Sequence, residues 1–455
     1  MGLSSVLDRE NGDRPYFQKA GNRVSPHVSL ATEPLRHLGA LGYWLFWLLA
    51  ISGIYLYIRF DTSVGGAYSS IDELEWWFGG VLRSVHRYAA DAFVIVVAAH
   101  LLRELLAGRF RGFRAFSWIS GVPLIWLLYA SGIVGTWLVW DTRAQFSFMA
   151  TLEWMHMAVA SAEEAFDRLF SFFVFLHIGL PLALLAGMWI HVQRLGRPAT
   201  VAPRLMAVGM TLSLVLVALI KPVASAARWD PRTVPPALEV DWFMLFAYPL
   251  MYATSPAMLW TVVLGVTALL VGLPYFSRKQ NLVVARVDPA NCNGCGRCVA
   301  DCPYEAILLK EKAEVIAERC AACGICAGAC PSSTPFRSAR ELVSGIDLPD
   351  LTVHDLRRRL QHSLPAAEIV FHCEQSKAQG PGIGVRCVAM LPPAFVEYAL
   401  RNGARRVRAV GCEGECAYRL GLALAEERFS RKRDPKLRSN VVAKRKDNEY
   451  AFALR

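Results

Sequence analysis

Two histidine pairs constrain this chain more than any other feature. His86 and His100 stand fourteen residues apart in one apolar segment, and His177 and His191 stand fourteen apart in another. On an α-helix that interval rises about 21 Å and falls only about 40° short of four full turns. Each helix therefore presents two imidazoles on nearly one face, at two depths of a bilayer. If the helices run in the same direction, His86 meets His177 and His100 meets His191. That makes two stacked bis-imidazole sites suited to two b-type haems. The plain alternative is four unrelated histidines satisfied by neighbouring carbonyls. Ionisable residues inside a membrane are rare without a role, and equal spacing on two helices favours the haem arrangement.

The rest of the chain is unevenly divided. Hydrophobic residues make up 54% of 455, and they gather in six stretches near 37–59, 81–105, 116–139, 170–195, 203–221 and 252–276. Each is close to the ~20 residues that a bilayer requires. Residues 277–455 read as soluble. Between the second and third stretches lie Arg103, Arg109, Arg111 and Arg114, and between the fourth and fifth Arg194, Arg197 and Arg204. Arg278 and Lys279 follow the sixth, and the intervening loops carry Asp61, Asp72, Glu73, Glu75, Asp141, Glu153, Glu163, Glu164 and Asp167. The positive-inside rule then puts both termini in the cytoplasm of a bacterial inner-membrane, multi-pass protein. The second and fourth helices run parallel, with His86 and His177 near the outer face. Residues 1–36 are mixed-charge, without the pattern of a cleaved signal peptide, and form an N-terminal cytoplasmic segment. The net charge of +11 is weighted to a basic tail from Arg428 through Arg431, Lys432, Arg433, Lys436, Arg438, Lys444, Arg445 and Lys446. That tail is either solvated or drawn to anionic membrane lipid; no nucleic-acid partner is expected.

Flat macrocycles wedged between helices need close backbone approach, and glycines recur at the histidine interval: Gly39 and Gly53, then Gly121 and Gly135. Arg83, one turn before His86, and Arg103, one turn after His100, are candidate partners for haem propionates. With Arg83-x-x-His86, His100-x-x-Arg103, the His177 to His191 spacing and Gly135-Thr-Trp-Leu-Val-Trp140-Asp, residues 30–276 resemble the cytochrome b subunit of bc-type quinol-oxidising complexes. Pro235-Pro-Ala-Leu-Glu-Val-Asp241-Trp-Phe-Met is similar to that family's quinol-site loop, usually Pro-Glu-Trp-Tyr. Here the tetrad is Val240-Asp241-Trp242-Phe243, with the carboxylate one methylene shorter. The resemblance makes Asp241 the candidate proton carrier; pairing with a loop arginine such as Arg232 is the alternative. It also implies a homodimer. His37 stands where chloroplast-type members attach an extra haem through a cysteine, and no Rieske-type motif occurs. The loop at 142–168 (Phe146, Phe148, Met149, Leu152, Trp154, Met155, Met157) has apolar residues at helical spacing. It reads either as a surface-lying helix over an outer quinone pocket or as plain loop packing.

All twelve cysteines follow residue 290, in spacings that point to metal clusters rather than disulfides. Cys292-x-x-Cys295-x-x-Cys298-x-x-x-Cys302-Pro303 and Cys320-x-x-Cys323-x-x-Cys326-x-x-x-Cys330-Pro331 form the bacterial two-cluster ferredoxin run. Cys292, Cys295, Cys298 and Cys330 then hold one [4Fe–4S] cluster, and Cys320, Cys323, Cys326 and Cys302 the other; zinc is the structural alternative. Further on, Glu368–His372, Val385–Val388 and Val407–Val410 read as buried strands, and 392–402 and 417–428 as helices. Cys373, Cys387, Cys412 and Cys416 sit at strand ends. Phe371-His-Cys373, Val385-Arg-Cys387, Asn402-Gly-Ala404 and Val410-Gly-Cys412-Glu-Gly-Glu-Cys416-Ala-Tyr418-Arg resemble the small iron–sulfur subunit linking hydrogenases or other donors to heterodisulfide-reductase-type flavoproteins. That family often has a second cysteine soon after the first, where Gln375 and Ser376 stand here. The resemblance implies one [2Fe–2S] cluster on the four thiols; structural thiols or zinc are the alternative.

The expected fold is an all-α membrane bundle of about six helices, joined to a bacterial ferredoxin-like α+β domain and a small α/β iron–sulfur domain. The expected boundaries are a four-helix dihaem domain at 37–198 and two further membrane helices with the quinol-site-like loop at 199–279. The ferredoxin domain follows at 280–335, a linker at 336–365, the [2Fe–2S] domain at 366–428 and the basic tail at 429–455. Together these predict an electron path from a cytosolic flavoprotein or iron–sulfur oxidoreductase (heterodisulfide-reductase-like or NAD(P)H-linked). It runs through the outermost [2Fe–2S] domain, two [4Fe–4S] clusters, the inner haem and the outer haem to quinone or quinol. A membrane anchor that only docks a hydrogenase- or dehydrogenase-like partner is the second reading. A transporter using its histidines for protons is the third.

Overall fold

The computed structural model describes residues 34–438, apart from 75, 157–162, 231–240, 242, 277–282, 339, 377–381 and 413–415. The N-terminal segment up to residue 33, Met157, Arg232, the run from Pro235 to Val240, Trp242, Arg278, Lys279 and the tail from Lys444 to Lys446 lie outside the described residues.

Apolar sequence becomes helix wherever the sequence predicts a span. The order is α1 (Leu38–Arg59), α2 (Val64–Asp72), α3 (Val81–Leu106), α4 (Ala115–Trp137), α5 (Thr142–Trp154), α6 (Glu163–His191), α7 (Arg204–Ile220), α8 (Ala247–Ala253) and α9 (Pro256–Phe276). Four helical stretches among the described residues are long and apolar enough to cross a membrane: Leu35–Arg59, Gly112–Trp137, Arg168–His191 and Pro256–Phe276. The other two expected spans differ for separate reasons. Helix α7 is apolar but only 17 residues long. Helix α3 has 26 residues, and its two histidines share it with Arg83, Arg87, Asp91, Arg103 and Glu104. Helix α3 is long enough to span and carries five charged residues along its length.

The helices pair as α1 with α3 and α4 with α6, with α7 laid on α3 and α9 on α4. Leu38, Leu41, Leu45 and Phe46 of α1 interlock with Ala89, Phe93 and Val96 of α3, while Ile51, Ile54 and Ile58 face outward as lipid contact requires. At the other end of the bundle Trp137, Trp140, Phe148, Phe170 and Phe173 form an aromatic cluster. There Trp140 stacks on Trp229 at 4.5 Å. Helix α5 begins where Asp141 accepts the Ala144 N–H at 2.9 Å, an N-cap that satisfies an orphan donor. The 142–168 loop is thus helical in its first half and buries Phe148 in the aromatic cluster.

The second half of the chain folds around one shared core. It comprises β1 (Arg286–Val287), α10 (Arg297–Asp301), β2 (Ile307–Leu309), β3 (Ala313–Val315), α11 (Ile325–Ala329), β4 (Ile346–Asp347), α12 (Val353–His362), β5 (Glu368–Cys373), β6 (Ile383–Val385), α13 (Pro393–Arg401), β7 (Arg406–Val410) and α14 (Gly421–Phe429). Strand β1 pairs antiparallel with β4, and β2 with β3. Strands β6, β5 and β7 form a parallel sheet in that order. The middle predicted strand therefore ends at Val385 rather than starting there, and Val388–Met390 is a 3-10 turn after Cys387.

Two expectations change here. The predicted linker 336–365 supplies β4 and α12, the latter closed by a capping box between Thr352 and Asp355. Leu348, Val353, Leu356 and Leu360 are fully buried in the shared core, and Val353, Leu356 and Leu360 recur at the helical interval. Arg357, inside that expected linker, is buried and donates to the carbonyls of Arg337 at 3.0 Å and Arg340 at 3.2 Å. The start of the basic tail is also not solvated. Arg428 is 0% exposed and ion-paired with Asp301, which Arg433 also contacts. A buried carboxylate requires compensation, and these arginines provide it.

Candidate metal centres

Two histidine rings stand near each other at one end of the bundle. The rings of His86 on α3 and His177 on α6 lie 6.4 Å apart, centre to centre. Two imidazoles bonded to opposite sides of one metal, at about 2 Å per bond, put their ring centres roughly 6 Å apart. The gap fits one iron. His100 and His191 lie within electrostatic range of each other at the opposite end.

Three of these rings are oriented by serines that the sequence analysis did not single out. The Ser52 hydroxyl lies 2.9 Å from His86 Nδ1 and donates its own proton to the Leu48 carbonyl at 2.8 Å. It therefore accepts from Nδ1. His177 Nδ1 donates to the Ser131 carbonyl at 3.0 Å, and His191 Nδ1 lies 3.2 Å from Ser120 Oγ. Fixing Nδ1–H leaves Nε2 as the free donor, which is how metal-binding histidines are held. The signal was present in the sequence as Ser52-Gly53 and Ser120-Gly121.

The four glycines do more than make room for a macrocycle: each abuts its own histidine. A Cβ would stand 3.7 Å from His100 Cε1 at Gly39, 3.1 Å from His86 at Gly53, 3.0 Å from His191 at Gly121 and 2.7 Å from His177 at Gly135. Glycines and histidines share one interval because each ring edge rests on the backbone of the neighbouring helix. Arg83 donates to Ser225 Oγ at 2.9 Å, and Arg103 pairs with Glu104. Asp241 is held by three groups. Its Oδ1 accepts from the backbone of Phe243 at 3.0 Å and Met244 at 3.2 Å, and its Oδ2 pairs with Arg87, the neighbour of His86. Arg87 also pairs with Asp91. A carboxylate so engaged ties the 241 loop to α3.

Cys292, Cys295, Cys298 and Cys330 line one cavity. Its loop turns through Gly294 (φ +69°) and Gly296 (φ +70°), and the second run repeats the turn with Ala322 (φ +51°) and Gly324 (φ +73°). Only glycine adopts that conformation without strain. Burial, then repulsion from Cys330, Cys295 and Cys292, pushes the Cys298 thiol up to about 11. Burial likewise pushes Cys323 up to about 12, beside Cys302 and Cys320. Close, buried thiols of this kind ionise only when a polycationic core offsets their charge.

The last four cysteines meet at the C-terminal ends of the parallel strands. Cys373 Sγ and Cys412 Sγ are 3.5 Å apart, and Cys416 is hydrogen-bonded to both Cys387 and Cys412. Two thiolates on one metal at about 2.3 Å sit roughly as far apart as Cys373 and Cys412 do, and the four thiols form one continuous group.

The bundle, the ferredoxin fold and the C-terminal domain join at one place. The Cys302-Pro303-Tyr304 turn docks on the membrane half: Gly196 N–H donates to the Pro303 carbonyl at 3.0 Å, and Tyr304 packs on Phe113 at 4.5 Å. Gly196 follows α6 and Phe113 precedes α4, at the end of the bundle that holds His100 and His191. Arg419 clasps the joint, donating to the carbonyls of Pro303 at 2.9 Å, Gly196 at 3.2 Å and Arg197 at 3.3 Å. Burial pulls its pKa below the ordinary value. Arg197 in turn pairs with Glu427 at 3.0 Å. The [2Fe–2S]-type set is therefore not outermost. A Cβ at Gly421 would touch Cys387 Sγ at 2.3 Å, Cys416 Sγ at 3.2 Å and Ile325 of α11 at 3.7 Å. The two cluster domains share a core instead of being strung on a linker.

Known proteins match the chain in three parts. Residues 23–197 match the Cytochrome b/b6/petB family model, 291–334 the 4Fe-4S dicluster domain, and 369–445 the delta subunit of methyl-viologen-reducing hydrogenase. Cytochrome b6 of Gracilaria tenuistipitata var. liui is 30% identical over 120 residues, 26% of this chain and 54% of that protein. Cytochrome b6 of Mastigocladus laminosus is 32% identical over the same length, with the same coverage. The chain thus spans about half the length of the curated relatives it matches. A solved structure described as a hyperthermophilic respiratory Complex III covers 54% of this chain and 76% of its own at 18% identity and a TM-score of 0.44. The chain carries a cytochrome b/b6 domain, a 4Fe-4S dicluster domain and a hydrogenase-delta-like domain.

Proposed function

We propose that this chain is a membrane-bound subunit that moves electrons between the quinone pool and a soluble oxidoreductase. The observation that carries the reading is the joint. The Cys302 turn of the ferredoxin fold is bonded to the loop after α6, at the end of the bundle where His100 and His191 stand. A helical half built for haem and a soluble half built for iron–sulfur clusters are thus one continuous body.

In this reading His86 with His177 and His100 with His191 hold two haems b. The two ferredoxin sets hold [4Fe–4S] clusters, and Cys373, Cys387, Cys412 and Cys416 hold a [2Fe–2S] cluster. Those groups supply one-electron chemistry, and the protein sets their spacing, ligands and burial. The serines at 52, 120 and 131 fix the imidazole tautomers, the glycines set ring position, and Arg419 holds the soluble half on the bundle. Asp241, paired with Arg87, would accept a proton given up by outer-face quinol, the ion pair loosening as the carboxylate becomes neutral. The soluble half faces the cytoplasm of a bacterial inner membrane, where a flavoprotein or iron–sulfur partner reaches it; the membrane half pairs with a second copy. An electron moving from the outer haem to the inner one works against the usual membrane potential, at roughly 2.3 kcal/mol per 100 mV. Quinol oxidation outside, coupled to reduction of a cytosolic acceptor, therefore stores energy.

Membranes containing this protein as their only b-type cytochrome provide the test. Addition of a soluble quinol analogue is expected to reduce the haem, seen as a rise near the b-haem α-band. Haem that responds to dithionite but never to quinol would favour the docking-subunit reading.

A further inference from the structure

We infer that the second ferredoxin set (Cys302, Cys320, Cys323 and Cys326) is a junction, and that the first set lies on a side branch with its own solvent-facing end. The inference rests on the electron-transfer reading above and deepens it. Sequence order alone places the two [4Fe–4S] clusters in line between the C-terminal thiols and the haems. The contacts place them otherwise.

Three neighbours meet at the junction set. The membrane half touches it through Cys302: a Cβ on Gly196 would come within 2.5 Å of the Cys302 carbonyl, and Arg419 fastens the next residue, Pro303. The C-terminal thiols touch it through α11, which carries Cys326. Cys387 is within electrostatic range of Cys323. Gly421 seats Cys387 and Cys416 against Ile325, and a Cβ at Gly324 would meet Met390 Sδ at 2.7 Å. The first set adjoins it through α10, which carries Cys298 and packs on α11.

On its far side the first set is reached, among the described residues, by an exposed ion pair between Arg297 and Asp434. Among those residues the cavity holding its four cysteines is lined by residues between Cys292 and Ile346, none from the membrane half and none from the domain after 366. Cys295 is the one exposed cysteine among the twelve. Electron exchange weakens steeply with separation, so the short route from the C-terminal thiols to His100 and His191 runs through the junction and bypasses the first set. An electron arriving at the junction then has two exits: to the haems, or to the first set and out past Cys295 to a soluble one-electron carrier. Each step moves one electron and leaves every covalent bond intact.

Paramagnetic resonance on the purified, cluster-loaded full chain decides the matter. A reduced [2Fe–2S] centre relaxes faster when a reduced [4Fe–4S] cluster is its near neighbour. In the double variant Cys295→Ala/Cys298→Ala, one [4Fe–4S] signal is expected to vanish while the [2Fe–2S] signal keeps its fast relaxation. In Cys320→Ala, the other [4Fe–4S] signal goes and that fast relaxation is lost. Slowed relaxation in the Cys295→Ala/Cys298→Ala protein would overturn the branch and restore the linear order. Should Cys320→Ala not fold, the first variant decides alone, and Cys295→Ala, at the exposed cysteine, replaces it if loss of the buried Cys298 also prevents folding. A wild-type chain without any [4Fe–4S] or [2Fe–2S] resonance would instead overturn the functional reading itself.

Discussion

Replacing Gly135 with valine is expected to remove the haem held by His86 and His177 and to leave the other in place. The added Cβ would lie 2.7 Å from Cε1, 3.2 Å from Nδ1 and 3.4 Å from Nε2 of His177. Three atoms of one ring are crowded at once, and the ring is already pinned by the Ser131 carbonyl. Overpacking a fitted site costs about 1–3 kcal/mol in an ordinary core. Here the ring has to swing off the axis shared with His86, so the bis-imidazole geometry itself is lost. Haem content should fall by half, with one component missing from the redox titration. Gly39→Ala is the control, since its Cβ would meet His100 at 3.7 Å, an ordinary contact, and both haems should remain. Retention of both haems in Gly135→Val would contradict the pairing.

Arg428→Ala is expected to be the most damaging single change in the soluble half. Arg428 donates to the Ala389 carbonyl at 2.6 Å and the Ile325 carbonyl at 3.2 Å, and it pairs with Asp301. It thereby ties α14 to α10, α11 and the turn after Cys387. Removing one partner of a buried pair leaves an uncompensated charge and costs about 3–5 kcal/mol, a large share of the 5–15 kcal/mol that typically holds a domain together. Asp301 keeps Arg433, which sets the loss toward the lower end. Because Asp301 precedes Cys302 and Ile325 precedes Cys326, the visible consequence is early loss of iron on mild heating or denaturant. Arg358→Ala, at an exposed pair with Asp355, should change iron retention little, as surface pairs contribute about 0–1 kcal/mol. Equal iron retention in Arg428→Ala and Arg358→Ala would show that the buried pair is dispensable.

The division of labour along the chain was legible because its chemistry is periodic. A fourteen-residue interval in two apolar stretches, repeated by Gly39, Gly53, Gly121 and Gly135, fixes helix, depth and partner from geometry alone. The repeated Cys-x-x-Cys runs are equally explicit. The arrangement of the soluble half was not legible, because it depends on tertiary pairing between distant segments. Arg357 sits beside Arg358 and Arg359 inside the expected linker, and Arg428 opens the basic tail. Their burial follows from carbonyls and a carboxylate supplied by other parts of the chain. The α12 core stripe of Val353, Leu356 and Leu360 was masked by that same basic run. Asp241 was expected to pair with a nearby loop arginine if paired at all, and Arg87, 154 positions earlier, supplies the pair instead. Arg419 resembled part of a motif, yet its role comes from three carbonyls in the two other parts of the chain.

Two imidazole pairs at two depths, joined end-on to cysteine clusters, make up the central claim. A reduced-minus-oxidised spectrum of the purified chain, with haem, iron and zinc counted on the same sample, tests it most directly. The account predicts b-type absorbance with two haems and about ten non-haem irons per chain, and no zinc. A colourless membrane half, or zinc in place of the iron, would contradict it.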